Sequence, residues 1–243
     1  MCYHTALTKR PEVIEQHLRI PFIDVDVYEP YYYQNGFTHD YMYIIPQNES
    51  THIYPANWGL IPKYQLNDPE KFYSNFKYNT LNARSEDIFK TTTYKNHIHE
   101  RCLIYCDGFF EPHAHPDGSK QAYFCYIPDA TEQDGRKLFC FAGLYSSDGR
   151  MSYYTTLLTT EADAFFSEIH NEAKRMPFVL DDEYLKQWIS NDLSDKDVKE
   201  IIKEGYTNDK FSAYPVTKDF YSRKKSIDKN SPNILKEVRT TLF

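Results

Sequence analysis

The order of predicted elements makes this an α+β chain: a single domain with an antiparallel, barrel-like β core and helices at its periphery. Three observations predict it. Aromatic residues make up 16% of the 243, with 22 Tyr and 16 Phe, and such rings favour pleated, half-buried surfaces. Four strand-like runs follow one another between residues 99 and 160, joined by the turn-forming stretches HPDGSK and DATEQDGR. Helical patterns then gather behind this meander instead of alternating with strands, which argues against a parallel βαβ arrangement. No internal repeat or low-complexity linker divides the chain.

Taken in order, residues 8–19 predict a short helix, with Thr8 as cap and Pro11 in its first turn. Residues 21–40 are rich in Tyr and Pro and predict irregular chain. YMYIIPQ (41–47) and the run around 52–62 predict strands interrupted by prolines. Residues 68–76 predict a helix capped by Asp68, and 81–89 an extended piece running into a helical turn. The four strands of the meander are 99–112, 121–128, 137–146 and 151–160. A helix follows at 161–170 with Thr160 as N-cap, then a short strand at 175–180 and a helix at 181–190. A third late helix at 194–205 has Ser194 as cap and Gly205 as stop. Residues 212–217 predict the last strand, so the core spans about 2–217, and the tail 218–243, basic at 222–225 (SRKK), predicts irregular structure.

The net charge of −7 excludes a generally basic nucleic-acid surface but leaves room for a local positive groove. Five cysteines (Cys2, Cys102, Cys106, Cys125 and Cys140) in no paired spacing predict reduced thiols in a cytoplasmic protein. The sequence shows no signal peptide and no apolar run of membrane length.

The chain opens Met1-Cys2. A small second residue is the usual condition for removal of the initiator methionine, and removal would leave an α-amine and a thiol on adjacent carbons. Such a 1,2-aminothiol captures an aldehyde first as an imine and then as a five-membered thiazolidine. Ordinary pKa values of about 7.7–8.0 for the amine and about 8.5 for the thiol put both within reach of neutrality. The plain alternative is a small residue starting a strand. Asn82, Arg84 and Glu86 stand at i, i+2 and i+4, either a solvated face or the lining of a site. Glu111 closes the run CLIYCDGFFE, where partial desolvation would suit acid–base work, or it is a surface strand end. His170 ends a helix, as a cap or as a proton carrier. Trp58, beside Gly59, is a core residue or a stacking platform for a base. His113 and His115 beside Glu111 form a rival pattern, that of a metal-dependent small-molecule enzyme.

Jointly, Cys2, WGLIP (58–62), NARSE (82–86), DGFFE (107–111), FAGLY (141–145), TTEA (159–162) and IHNEAKRMPFVL (169–180) resemble, in order, the SOS-response-associated peptidase (SRAP) family. The resemblance covers most of residues 2–217. It implies a protein that binds single-stranded DNA carrying an abasic site and crosslinks to the opened sugar through Cys2, shielding the lesion. It also implies peptidase removal of the residue before the cysteine, possible lyase-like activity, no cofactor and no metal, and action as a monomer in the cytoplasm, on the nucleoid when DNA-bound. By motif, Cys2 is the nucleophile, Asn82 orients it, Glu111 is the acid–base, His170 carries protons, and Thr159 joins that network. Arg84 and Arg175 would hold phosphates, and Trp58 would wedge where the base is missing. The family commonly begins Met-Cys-Gly-Arg and follows the carboxylate with Trp; here Tyr3, His4 and Pro112 stand instead. A diverged binding module without covalent chemistry is the third reading.

Overall fold

The computed structural model describes residues 2–75, 79–222, 224 and 228–238. The strands in chain order are β1 (His4–Leu7), β2 (Tyr31–Asn35), β3 (Tyr41–Pro46), β4 (Tyr54–Trp58), β5 (Asn82–Arg84) and β6 (Arg101–Cys106). They continue with β7 (Gly108–Ala114), β8 (Lys120–Tyr126), β9 (Phe139–Ser147), β10 (Tyr153–Glu161), β11 (Arg175–Pro177) and β12 (Ser212–Pro215). The helices are α1 (Pro11–Leu18), α2 (Pro69–Tyr73), α3 (Thr92–Lys95), α4 (Ala164–Ile169), α5 (Leu185–Trp188) and α6 (Asp195–Glu204).

Strands β10, β4, β3, β6 and β9 pair in that order, and β9 pairs back onto β10, which closes a barrel. Strand β10 does the joining. It runs antiparallel to β9 and parallel to β4 over Tyr153–Thr155, then parallel to β5 over Leu157–Thr159. Its last residues, Thr159–Glu161, pair with β11. The second sheet has the order β12-β8-β7-β1-β2. The expected α+β class with an antiparallel, barrel-like core is what the structure contains.

The two sheets share one piece of chain. The run 99–112, expected as a single strand, is two: β6 lies in the barrel, Asp107 turns the chain, and β7 lies in the second sheet. Gly108 permits the crossing, because a Cβ there would sit 2.1 Å from Cζ of Phe124. A cluster containing Met42, Ile44, Ile104, Phe109, Phe141 and Phe166 then fuses barrel to sheet.

Other expectations are corrected by the chain's own hydrogen bonds. Residues 4–7 and 31–35 form β1 and β2, although 21–40 was expected to be irregular. Helix α4 is capped by Asp163, whose carboxylate accepts from the Phe166 N–H at 2.8 Å, and not by Thr160, which lies in β10. Thr8 caps nothing; its hydroxyl and N–H both go to Asp107. Asp68 and Ser194 cap α2 and α6 as expected, the latter in a full capping box with Asp197. The tail is not wholly irregular: 3₁₀ turns at Lys218–Tyr221 and Pro232–Leu235 pack Phe220 and Ile234 against Phe110 and Phe124. Residue 76, the Arg223 and Lys225 of the basic stretch, and residues 239–243 lie outside the described residues, as does Met1. Among the described residues, no helix is long and apolar enough to cross a membrane.

Candidate active site

Strands β1 and β7 are antiparallel neighbours, with His4 opposite Phe110. One step further along that register brings the chain before β1 beside Glu111. Cys2 is fully buried there. Its thiol points at the His4 carbonyl, 3.5 Å away, and its own carbonyl accepts a 2.8 Å hydrogen bond from Asn82 Nδ2. Burial first, and then the nearby Glu111 carboxylate, push the Cys2 thiol well above its usual pKa. The thiol therefore stays protonated at neutrality unless a base takes its proton.

Strand β5 is clamped so that Asn82 faces Cys2. The Tyr94 hydroxyl donates to the Asn82 carbonyl at 3.1 Å, and the Trp58 indole N–H donates to the Leu81 carbonyl at 2.9 Å. Trp58 is 0% exposed, so it offers no face to a base; the wedge role expected of it is corrected to that of an internal support.

Glu111 lies in β7, the middle strand of its sheet, and is 0% exposed. His170 Nδ1 approaches its Oε2 to 2.9 Å and the Arg175 carbonyl to 3.1 Å. The first contact is a close ion-pair distance, and among the described residues neither Glu111 oxygen accepts an aligned hydrogen bond. His170 is delivered by α4, whose Phe166 stacks on Phe109 at 5.7 Å between ring centres. The side-chain amide of Asn171 completes the docking, donating to the Ala114 carbonyl and accepting from its N–H.

Buried Glu111, whose close neighbour is His170, and buried Asn82, which binds the Cys2 carbonyl through Nδ2 and has no donor on Oδ1 among the described residues, thus stand near Cys2 with acceptor capacity unfilled. A buried acceptor left unmatched is unfavourable by about 1–3 kcal/mol. The arrangement suits a guest that brings hydroxyl or ammonium protons.

The remaining expected residues divide. Thr159 is buried where β5, β10 and β11 meet; its hydroxyl donates weakly to Ala83 and accepts from Arg175, so it braces the site's wall. Arg84 is exposed at the end of β5. Arg175 is not open to a phosphate: its fork is filled by Glu86, at 2.5 and 3.0 Å, and by the Thr159 carbonyl at 2.6 Å. Asn82, Arg84 and Glu86 therefore do not line one face; the first is buried against Cys2, the second is exposed, and the third is bound to Arg175. The histidine pattern also separates. His113 Nδ1 is 3.0 Å from the Glu168 carbonyl, while Glu111 faces His170. Among the described residues no three His, Cys, Asp or Glu side chains group as a metal site requires. His4, packed between Tyr33 and Phe220, is held down to about pH 4 by burial and then by Lys229, so at neutrality it is no phosphate-binding cation.

The family model for SOS response associated peptidase (SRAP) matches residues 1–222. The chain belongs to the SRAP family. Similar curated proteins include "Abasic site processing protein YoqW" of Bacillus subtilis (strain 168), 27% identical over 236 residues, covering 95% of this chain and 96% of the relative. "Abasic site processing protein YedK" of Escherichia coli (strain K12) is 28% identical over 177 residues, 71% of each chain. Among solved structures, a Bacteroides thetaiotaomicron protein superposes with a TM-score of 0.81 at 24% identity, covering 98% of this chain and 100% of that one; it shares the fold. Within this SRAP chain, sequence reasoning missed Tyr94 and the Glu86–Arg175 fork. Tyr94 reaches back twelve residues to Asn82 and Arg175 bridges eighty-nine to Glu86, contacts that no local pattern announces.

Proposed function

We propose that this protein captures abasic sites in single-stranded DNA as a covalent adduct on Cys2, acting as a monomer and shielding the lesion. The observation that carries the reading is the burial of Cys2 beside Asn82, which holds its carbonyl, and near Glu111, which is paired with His170 at 2.9 Å and accepts no aligned hydrogen bond among the described residues. The SRAP relatives named for abasic-site processing give the substrate class.

Removal of Met1, the peptidase step implied by the family, leaves a 1,2-aminothiol at Cys2. The amine adds to the aldehyde carbon of the ring-opened deoxyribose, and the carbinolamine loses water, with Glu111 supplying the proton that the leaving hydroxyl needs. The thiol then adds to the imine carbon; its proton passes through the Glu111 carboxylate to the ring nitrogen. One C–N and one C–S bond form, and the aldehyde oxygen leaves as water. His170, 2.9 Å from Glu111, exchanges protons with the sugar hydroxyl freed on ring opening. Asn82 fixes the Cys2 carbonyl and so the direction of its nitrogen. Arg84 meets a phosphate with its fork. Thr159 and Arg175 act as positioning residues, the latter through the carbonyl that meets His170.

The test is a denaturing gel of purified protein, its N-terminus checked by intact mass, against a single-stranded oligonucleotide with one abasic site. A heat-stable shifted band is expected with the lesion and absent with intact DNA. No band from protein with a confirmed free Cys2 overturns the reading.

A further inference from the structure

We propose that Phe37, backed by Tyr3, is a stacking platform for the nucleobase that flanks the lesion. The proposal rests on the capture reading above but concerns a different contact. Trp58 cannot supply a stacking surface, being wholly interior. What it does instead is carry the turn above it: a Cβ at Gly36 would lie 3.2 Å from the Trp58 indole, so that turn sits directly on the ring. The next residue, Phe37, is 58% exposed.

The turn is built rather than slack. The Asn35 side chain accepts from the Phe37 N–H at 3.1 Å, and the Thr38 hydroxyl is within bonding distance of both the Asn35 carbonyl and the Asp40 carboxylate. A large apolar side chain is thereby held outward at a fixed place on the surface. That place adjoins the nucleophile: the Gly36 N–H donates to the Tyr3 carbonyl at 2.9 Å, and the Phe37 and Tyr3 rings lie 5.0 Å apart at 32°. Tyr3, which directly follows Cys2, accepts a hydrogen bond from Asn79 at 3.3 Å, which fixes its ring behind Phe37.

A base next to an abasic site has lost one stacking neighbour, so an aromatic face offered there replaces what the lesion removed. Stacking accepts any base, which suits a lesion that arises in any sequence. Arg84, exposed two residues beyond the Asn82 that binds Cys2, gives the strand's phosphates a cation on the β5 side.

The experiment uses the full chain and measures equilibrium binding by fluorescence anisotropy. The probes are two single-stranded oligonucleotides carrying a tetrahydrofuran abasic analogue, which cannot open to an aldehyde. One has adenines on both sides of the analogue; the other has further baseless spacers there. Wild type is expected to bind the first roughly tenfold more tightly, within the range of one base–aromatic stack. Phe37→Ala should collapse that preference toward one, and Phe37→Trp should restore it. Equal binding of both probes by wild type, or an unchanged preference in Phe37→Ala, overturns the platform. Because neither probe can crosslink, a preserved preference together with no adduct on true abasic DNA would sink the capture reading and leave the platform standing.

Discussion

Asp107 and Glu111 stand four residues apart on one continuous run of chain, and both are fully buried. Their surroundings treat them oppositely. Asp107 accepts from the Thr8 N–H, the Thr8 hydroxyl and Arg136, and its backbone N–H goes to Ala6. Glu111 has His170 at 2.9 Å and, among the described residues, no aligned donor at either oxygen. Asp107 is therefore part of the joint between the barrel and the second sheet, whereas the sheet holds Glu111 ready and incomplete. Burial alone does not mark a functional carboxylate; burial with unfilled acceptor capacity beside the proposed nucleophile is what the capture reading requires.

This contrast can be broken by substitution, and the largest effect concerns the residue Glu111 serves. Cys2→Ala should abolish the heat-stable adduct with abasic single-stranded DNA on the denaturing gel, since no other residue would carry an aminothiol. Glu111→Gln should slow adduct formation by about 10²- to 10⁴-fold, the usual worth of a positioned acid–base, while changing the unfolding free energy from urea denaturation by less than about 1 kcal/mol. Asp107→Ala should do the reverse. It strands Thr8 and Arg136 and should lower stability by about 2–4 kcal/mol, with the adduct rate per folded molecule kept. If Glu111→Gln proved as destabilising as Asp107→Ala, the distinction between the two carboxylates would collapse.

A smaller effect comes from a half-buried titratable group, His4. His4 has a folded pKa lowered to about 4, by burial first and Lys229 second. A histidine with a lowered pKa binds its proton more readily in the unfolded chain. Its favourable contribution is complete above the unfolded value of about 6.5 and fades as pH falls from there toward 4. His4→Gln should therefore flatten the loss of stability over that window by on the order of 2 kcal/mol, read from urea midpoints at pH 7 and pH 4.5.

Much of this was legible in the residues. The meander showed in its turns and alternation, and the caps Asp68 and Ser194 act locally, so the sequence displays them. The resemblance to SRAP motifs, not any local spacing, singled out Cys2, Asn82, Glu111 and His170, and the fold brings Asn82 to Cys2 and His170 to Glu111. What stayed hidden depends on distant partners. Strand β2 is written in tyrosines that could equally line a loop, and only its pairing with β1 makes it a strand. The division between β6 and β7 needs the approach of Phe124 to Gly108, which no local pattern announces. Trp58 and Arg175 carried residue types suited to DNA, but their indole and guanidinium are taken by Leu81 and Glu86.

The walls around Cys2 are also separated in time. Its neighbours Glu111 and His170 lie about a hundred and about a hundred and seventy residues downstream, and a ribosome adds roughly 5–20 residues per second. The amino end of the growing chain therefore emerges on the order of 5–20 s before the strand bearing Glu111 exists to cover it. On the capture reading, an aminopeptidase acting on the nascent chain would have that interval to remove the first residue from an open terminus, before β7 docks beside β1 and the cysteine is enclosed. Long-range pairing, which slows folding, would then double as a maturation window.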